Sequence, residues 1–373
     1  MSAADPLVSG LGRMDAAMDA RGMWPQAESP WVRPAMMTHA VRHRFAPDLV
    51  WSWDGHTWRP VHRTEQPRRW ADLVYPGPED STVTQVTDGL PTSSLSCVSV
   101  VADMLDSLAL EPGHRVLELG TGTGWNAALL AHRAGPDGRV VSVETDPALA
   151  AAAGHRLEQA SADVDIRTGD GTTGAPDSGP YDRMIARYAV DTVPWTWIQQ
   201  IRPGGRLVFP WGRMGHFALT VTDDGHAATG WLQGLALFMP DRNAPQTTPP
   251  PFTAPPTDAA DTTDEELFDD LLDGHALFAV RVSHPHIVVT IDRSGGTPSL
   301  TLRDTTDRSA RADRTDSGIS LLGDGTDLWR ALKDGHRLWR ERGRPELWDF
   351  GMTVTPHTQT VWATSGTNGP YLG

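Results

Sequence analysis

Short apolar runs separated by helix-like stretches fill the middle of the chain. Between Ser93 and about Met239, the runs RVLEL, RVVSV, YDRMIA, GGRLVF and FALTV alternate with longer amphipathic segments. Buried parallel strands are apolar along their whole length, and the segments between them form the helices that cover both faces of the sheet. The alternation therefore predicts an α/β domain with a Rossmann-like parallel sheet.

The pattern differs on either side of this region. Residues 1–80 are rich in Trp, Arg and Pro and look irregular, apart from DLVWSWDGHTWRPVHR, in which apolar alternation around Asp54-Gly55 predicts a β-hairpin. Residues 240–263 are rich in Pro and Thr, which predicts an extended linker because proline can continue neither a helix nor a central strand.

After the linker the pattern indicates a mixture of helices and strands. We expect an acidic helix at DEELFDDLLDG, strands at ALFAVRV, HIVVTID and PSLTLRD, a second helix from Asp327 to Arg342, and a terminal strand pair at GMTVTP and QTVWATS. In the second helix one face is formed by Trp329, Leu332, His336 and Trp339. We predict an N-terminal extension (1–80), a main domain (81–239), a linker (240–263) and a C-terminal α+β domain (264–373).

Composition excludes several classes of function. The 373 residues carry a formal net charge of -15, whereas nucleic-acid binding needs a clustered basic surface, so we expect no nucleic-acid partner. The single cysteine, Cys97, allows no internal disulfide. We see no signal peptide and no run of about 20 apolar residues, so we expect a cytoplasmic protein without a membrane partner. His284 and His286 lack further ligands nearby, and we predict no metal site.

The stretch RVLELGTGTGWNAALLA contains a glycine-rich turn between a strand and a helix, and it fits two cofactors. Gly122, Gly124 and Ala127 match the G-x-G-x-x-A fingerprint of a dinucleotide site. The same stretch also presents an acid at the strand end, Glu118, followed by glycines at alternate positions. That second arrangement is typical of a site for S-adenosyl-L-methionine, whose amino-acid part the glycine backbone approaches closely. The residues assigned to it are Glu118, Gly120, Thr121, Gly122 and Gly124.

Two further acids continue this pattern. Glu144 ends the second apolar run, where a carboxylate takes ribose hydroxyls in either kind of site. Asp170-Gly171 follows a third short run, where an acid can accept a hydrogen bond from the adenine amino group. Together with the Pro-Gly-Gly turn of IRPGGRLVF, these features favour S-adenosyl-L-methionine, with S-adenosyl-L-homocysteine as product, over a nicotinamide dinucleotide.

Just upstream, the sequence resembles the protein-L-isoaspartate O-methyltransferases. That family usually has a hydroxyl-bearing T-I-S-Q-P loop, and the matching residues here are Ser94, Leu95, Ser96, Cys97 and Val98. The resemblance continues in VRHRFAP, in VLELGTGTGWNAALLA and in GDGTTG, and it covers roughly residues 35–215. It implies that Ser96, with Ser94, holds the substrate carboxylate. Where the family usually has a P-x-x-I/V-P segment, this chain has ARYAVDTVP, so Arg187 and Tyr188 are candidate substrate-binding residues.

The departures resemble a branch of this family that is associated with ribosomally synthesised, modified peptides such as graspetides, lanthipeptides and lasso peptides. TSSLS, PYDRMIA and the extra C-terminal region carry this resemblance. It implies methylation of one aspartate in a constrained precursor peptide, followed by closure to an aspartimide. Two alternatives stay open: repair of L-isoaspartyl residues in damaged proteins, and a protein that binds cofactor and peptide without catalysis.

Overall fold

The computed structural model describes residues 5–212, 214–242, 259–262, 264–293, 296–304, 306, 308–316, 318–323, 325–364 and 369–372. The chain forms two compact units, unit 1 with residues 1–210 and 218–228, and unit 2 with residues 211–217 and 229–373. The four-part division expected from the sequence remains a proposal. In the part of the chain that the structure describes, no helix has the length and apolar character needed to cross a bilayer.

Helices and strands are numbered separately, each in chain order. The helices are α1 (Pro6–Ala20), α2 (Val32–Pro34), α3 (Pro67–Val74), α4 (Val98–Leu108), α5 (Trp125–Ala134), α6 (Pro147–Gln159), α7 (Trp195–Gln199), α8 (Glu265–Leu271), α9 (Gly274–Ser283) and α10 (Gly325–Glu341). The strands are β1 (Leu49–Trp53), β2 (Trp58–His62), β3 (Thr82–Thr87), β4 (Leu90–Leu95), β5 (Arg115–Leu119), β6 (Arg139–Glu144), β7 (Asp165–Thr168), β8 (Tyr181–Ala186), β9 (Ile201–Trp211), β10 (Gly215–Val221), β11 (Ala228–Leu235), β12 (Ala259–Thr262), β13 (Ile287–Asp292), β14 (Ser299–Asp304), β15 (Ser309–Thr315), β16 (Gly318–Gly323), β17 (Phe350–Val354), β18 (Gln359–Ala363) and β19 (Gly369–Leu372).

Unit 1 contains the predicted Rossmann-like sheet. Its strand order is β10-β9-β8-β5-β6-β7, and β5 pairs in parallel with both β6 and β8. All five apolar runs of the central region form strands of this sheet, so the predicted α/β fold is confirmed. Because the strands are parallel, the carboxyl ends of β5, β6 and β8 lie at one edge, where ligands of open α/β sheets bind.

A second sheet in unit 1 has the order β2-β1-β3-β4. Strands β1 and β2 form the predicted hairpin, in which Trp53 lies opposite Trp58. Strand β3 joins β1 to β4, and β4 then leads through Ser96 and Cys97 into α4. The serine-rich run before α4 is therefore a strand over most of its length.

The expectation that the first 80 residues are irregular was wrong. Helix α1 has 15 residues, and its N-cap, Asp5, accepts a hydrogen bond from the backbone N–H of Leu7. Such a cap satisfies one of the N–H groups left over at the start of a helix. The buried positions Gly10, Met14 and Met18 are four residues apart, which is one face of a helix.

Unit 2 has one sheet of order β12-β16-β15-β14-β13 and further strands in the order β11-β17-β18-β19. The strand predicted at ALFAVRV was wrong, because these residues belong to α9. Asp273 caps that helix by accepting from the N–H of His275 at 3.0 Å. Most of the predicted linker, residues 243–258, lies outside the described residues, and β12 begins at Ala259.

Helix α10 confirms the predicted apolar face. Trp329, Leu332, His336 and Trp339 are all buried. The Nε2 atom of His336 lies 2.7 Å from Oδ2 of Asp270, so the buried imidazole has a polar partner. This face therefore packs into the core of unit 2.

Candidate functional site

The loop that follows β5 turns through three glycines with positive φ angles. Gly120, Gly122 and Gly124 have φ values of 91°, 54° and 89°. Residues with side chains rarely adopt this left-handed conformation, which explains why glycine recurs at alternate positions. Helix α5 begins immediately afterwards at Trp125, so the loop and the helix N-terminus lie together at the carboxyl edge of the sheet.

Glu144, at the end of β6, holds this loop in place. Its Oε2 accepts from the backbone N–H of Gly122 at 2.8 Å, and its Oε1 accepts from that of Asp146 at 3.1 Å. The Glu144 side chain is buried. A carboxylate offers about four acceptor positions, so Glu144 can accept from several donors at once.

Glu118, near the end of β5, is part of a buried hydrogen-bond network and is not exposed at the edge of the sheet. Its Oε2 accepts from the Ser142 hydroxyl at 2.5 Å, and its Oε1 accepts from the Asn126 amide at 2.8 Å. The side chain has no exposed surface. Thr121 extends the network, because its Oγ1 lies 2.6 Å from the Ser142 hydroxyl. Because the side chain is fully buried, a ligand could contact Glu118 directly only if a neighbouring group moved aside.

Burial raises the pKa of Glu118 to about 7, although the hydrogen bonds from Ser142 and Asn126 and the charge of Arg187 oppose this shift. Arg187 follows β8 and donates to the Met104 sulfur at 3.2 Å. Burial lowers the pKa of Arg187 to about 10, so the guanidinium is still cationic at neutral pH. The charge of Arg187 thus acts on Glu118 at the start of the glycine loop and favours its ionised form.

Asp170 and Gly171 lie in the loop after β7, beside Tyr188. Asp170 is exposed, and its Oδ1 accepts from the N–H of Thr172 at 2.8 Å. Gly171 is buried directly against the Tyr188 ring, and a Cβ at this position would collide with the phenol oxygen. The same ring is 3.2 Å from where a Cβ on Gly120 would lie. Tyr188 therefore fills the space between the two predicted cofactor-binding loops.

Helix α7, in which sequence reasoning found no functional signal, fixes the Asp170 loop. The indole N–H of Trp197 donates to the Gly171 carbonyl at 2.9 Å, and the Thr196 hydroxyl donates to the Thr172 carbonyl at 2.6 Å. Gln200 continues these contacts, since its amide donates to the Thr173 carbonyl at 2.9 Å. Side chains from this segment therefore hold the loop by donating hydrogen bonds to its backbone carbonyls, and the sequence of the loop itself does not reveal these bonds.

Strand β4 brings the serine run against the glycine loop. The Ser93 hydroxyl is 3.9 Å from the position of a Cβ on Gly122, and it accepts from the Thr84 hydroxyl at 3.1 Å. Ser93 is buried, whereas Ser94 and Ser96 are half-buried. Successive side chains on a strand point to opposite faces. Ser93 was not predicted from the sequence, because the resemblance to the family's hydroxyl-bearing loop begins at Ser94.

Arg42, in the stretch VRHRFAP, fixes the turn that carries Ser96. Its guanidinium donates to the backbone carbonyls of Leu95 and Ser96, to the Val74 carbonyl at 2.8 Å and to the Thr82 hydroxyl at 3.2 Å. It also lies 4.9 Å from the centre of the Trp125 ring. Burial lowers the pKa of Arg42 to about 10, so it too is a buried cation at neutral pH.

The structure brings the predicted residues together in two groups. In one, Glu118 and Thr121 are linked through Ser142, and Glu144 accepts from Gly122, the residue after Thr121; in the other, Tyr188 adjoins both Gly120 and Gly171. Ser94 and Ser96 lie on the strand and turn next to Ser93, which approaches Gly122. The ligand-binding role of each of these residues remains a prediction.

Comparison with known proteins identifies relatives of this region. The sequence profile described as protein-L-isoaspartate(D-aspartate) O-methyltransferase matches residues 79–230. A protein-L-isoaspartate O-methyltransferase of Methanopyrus kandleri is 41% identical over 121 residues, which are 32% of this chain and 54% of that protein. Another, from Methanocella arvoryzae, is 38% identical over 148 residues, which are 39% of this chain and 79% of that protein.

A solved protein-L-isoaspartate O-methyltransferase structure aligns with 95% of this chain and 99% of its own, at 19% identity and a TM-score of 0.48. The chain spans little more than half the length of the Methanopyrus kandleri relative and 62% of one from Methanothrix thermoacetophila. The matched residues contain β3 to β10, and so every residue predicted for the cofactor and substrate site.

Proposed function

Because the chain belongs to the protein-L-isoaspartate O-methyltransferase family, we propose that it is an S-adenosyl-L-methionine-dependent carboxyl O-methyltransferase that acts on isoaspartyl residues of proteins or peptides. One observation carries the proposal: the buried Ser93 hydroxyl approaches the Gly122 position to 3.9 Å. The serine-bearing strand thus adjoins the glycine loop, so a carboxylate held at the serines would lie beside a methyl donor held at the loop.

The residues of the glycine loop fit the cofactor. Among the described residues, no atom outside the immediate chain neighbours lies closer than 3.9 Å to a Cβ position on Gly122, so the loop leaves space on that side. In this proposal the backbone of Gly120 to Gly124 adjoins the amino-acid part, Glu144 accepts from ribose hydroxyls and Asp170 accepts from the adenine amino group. Glu118 and Thr121 have an indirect role: they support the loop through their hydrogen bonds with Ser142 and Asn126. When bound, the cofactor supplies an electrophilic methyl group on a sulfonium.

The substrate carboxylate needs no strong base. A free carboxyl titrates near pH 4, so it is ionised and nucleophilic at pH 7. The protein's contribution is to orient the carboxylate toward the methyl carbon and to exclude competing water. Ser96 and Ser94 would orient it by donating hydroxyl hydrogen bonds, and these neutral donors leave its charge available for attack.

Arg187 and Tyr188 have different roles in this proposal. The Arg187 guanidinium supplies positive charge near the substrate carboxylate. Tyr188, packed against Gly120 and Gly171, forms the wall that separates the adenine end of the site from the substrate end. Both residues belong to ARYAVDTVP, which stands where the family usually has a P-x-x-I/V-P segment, so they are candidates for substrate selection.

A second candidate function is methylation of an aspartate in a modified ribosomal precursor peptide, leading to an aspartimide. It is favoured by residues 231–373, which lie beyond the family match and form most of unit 2. The named relatives are protein-L-isoaspartate O-methyltransferases, and they therefore support isoaspartyl methylation more strongly.

The test is methyl transfer followed by mass spectrometry. Three matched peptides, one with isoaspartate, one with aspartate and one cyclised with aspartate, are incubated with the protein and S-adenosyl-L-methionine. We expect a gain of one methyl on the isoaspartyl peptide and a large loss of activity in Ser96→Ala. Reaction of only the cyclised aspartyl peptide, with later net loss of water, would instead establish the second candidate. Cofactor binding by calorimetry without any transfer would establish a non-catalytic binding protein.

A further inference from the structure

The hairpin formed by β3 and β4 contacts the loop after β6 through the side chain of Gln85. The Gln85 amide donates from its Nε2 to Oδ2 of Asp146 at 3.0 Å. Its Oε1 accepts from the hydroxyl of Thr92, on β4, at 2.9 Å. All three residues are half-buried. Because a carboxylate only accepts whereas an amide both donates and accepts, Gln85 can join the hairpin to Asp146 with both of its polar atoms.

The pairing of β3 with β4 is irregular around this contact. Gln85 lies opposite Ser93, and the register shifts on either side of Gln85. Bulges of this kind re-aim side chains and are frequent next to active sites. At this irregular point the hairpin reaches two loops at the carboxyl edge of the large sheet, through Gln85 at Asp146 and through Ser93 near Gly122.

Asp146 connects Gln85 to the residues predicted to bind the cofactor. Its Oδ1 accepts from two backbone N–H groups at the start of α6, at 2.8 and 3.2 Å, so the carboxylate caps this helix. Its own N–H donates to Glu144, and Glu144 in turn accepts from the N–H of Gly122. A continuous series of hydrogen bonds therefore runs from Gln85 through Asp146 and Glu144 to the glycine loop.

These contacts close into a ring. The Ser93 hydroxyl is 3.9 Å from the position of a Cβ on Gly122, and Ser93 lies opposite Gln85 in the hairpin. Strand β4 continues from Ser93 to Ser94, one of the hydroxyls predicted to hold the substrate carboxylate. A ligand that fixes Glu144 is therefore able to fix the strand that carries the substrate serines.

We propose that Gln85 is a positioning residue that couples the cofactor site to the substrate-binding strand β4. Ribose hydroxyls bound to Glu144 restrain the loop that continues to Asp146, and Gln85 transmits this restraint to Thr92. Coupling between two sites acts equally in both directions, so a peptide held by β4 also strengthens cofactor binding. This inference rests on the proposed function and adds the residue through which its two sites communicate.

The test is hydrogen exchange of the backbone amides of β4, with and without S-adenosyl-L-homocysteine, measured by mass spectrometry. Amide exchange reports the local opening of a strand. We expect saturating S-adenosyl-L-homocysteine to slow exchange in β4 of the wild-type protein about ten-fold. Gln85→Met nearly keeps the side-chain volume but makes neither hydrogen bond, so it should lose this effect. A purely structural role would instead change exchange in the free protein and leave the effect of the ligand in place.

Two further variants sharpen the result. Gln85→Glu still accepts from Thr92 but cannot donate to Asp146, and it should lose the effect as Gln85→Met does. Gln159→Met is the matched control, since Gln159 is exposed at the other end of α6, and it should keep the effect. Thermal unfolding verifies that each variant is folded.

Steady-state kinetics give a second readout. When both ligands are bound, each site is held by its own ligand. Gln85→Met should therefore raise KM for the cofactor and for an isoaspartyl peptide about ten-fold, while kcat stays nearly unchanged. A fall in kcat with both KM values unchanged would contradict the positioning role.

The inference is overturned if S-adenosyl-L-homocysteine binds in calorimetry without slowing exchange in β4, or if the slowing persists in either variant of Gln85. Methyl transfer to isoaspartyl peptides would still support the proposed function in that case. Slowing in the wild type that is lost in Gln85→Met, without methyl transfer to any peptide, would refute the proposed function and support the coupling. Absence of S-adenosyl-L-homocysteine binding would overturn both.

Discussion

Arg42 donates a hydrogen bond from its buried guanidinium to the backbone carbonyl of Ser96. A cation of the segment before β1 therefore fixes the turn that carries a candidate substrate-binding hydroxyl. Four acceptors share this one side chain, and the planar guanidinium is suited to serve them because its five N–H donors point in fixed directions.

Replacement of Arg42 by lysine should weaken both the fold and peptide binding. An ammonium cannot reach all four acceptors, and each buried acceptor left without a donor costs about 1–3 kcal/mol. We expect Arg42→Lys to lower the free energy of unfolding by about 2–4 kcal/mol and to raise KM for the peptide more than KM for the cofactor. Urea unfolding and steady-state kinetics measure the two effects. Arg44→Lys, at an exposed neighbour, is the control; equal effects in both variants would contradict the assigned role.

Glu118 should make stability depend on pH. Its pKa is about 7 in the folded protein, compared with 4.5 for the free group. Between these values the folded state keeps a proton that the unfolded state has lost. The stabilisation from this group is therefore present at low pH and is lost as the pH rises to about 7.

Glu118→Gln removes the titrating proton and nearly preserves the shape. We expect its free energy of unfolding to fall less steeply than that of the wild type between pH 5 and 7, and urea denaturation at several pH values measures this. Glu158→Gln, on the exposed surface of α6, should leave the slope unchanged. A wild-type slope that survives in Glu118→Gln would show that another group titrates there.

Gly171 and Tyr188 should be energetically coupled. A methyl group in Gly171→Ala collides with the Tyr188 hydroxyl, so we expect a loss of about 2 kcal/mol in stability. Removing the hydroxyl in Tyr188→Phe takes away the closest of these contacts and leaves ring carbons at 3.1 and 3.2 Å, so the double variant should be more stable than the sum of the single effects predicts. Thermal unfolding of all four proteins gives the coupling energy. Simple additivity would mean that the loop moves away from the ring.

Glu144→Gln should weaken cofactor binding without unfolding the protein. The amide has one acceptor oxygen, whereas the carboxylate accepts from both Gly122 and Asp146. We expect the dissociation constant for S-adenosyl-L-homocysteine to rise about ten-fold, measured by calorimetry. Glu111→Gln, exposed and next to β5, serves as the reference. Unchanged affinity would remove Glu144 from the proposed site.

The sequence allowed the parallel sheet to be predicted because its strands are apolar throughout. The same property led to the wrong prediction at α9, since Ala276 to Val282 are all buried, Arg281 included, and the run therefore lacks the exposed polar positions that mark the helical period. In the candidate site, the glycines and acids were found by their spacing. The contact between Arg42 and Ser96, which are 54 positions apart, and the approach of Ser93 to Gly122 depend on the folded β3–β4 sheet and carry no local signal.

The hairpin β1–β2 precedes residue 79, where the family match begins, whereas β3 and β4 lie inside it. A single sheet thus joins two strands outside the shared sequence to two strands within it. The serine-bearing strand β4 is thus tied, through β3, to a segment that lies outside the matched residues. A substitution that loosens the pairing of β1 with β3 would therefore reach the part of the sheet that matches the family from a region that the family match does not include.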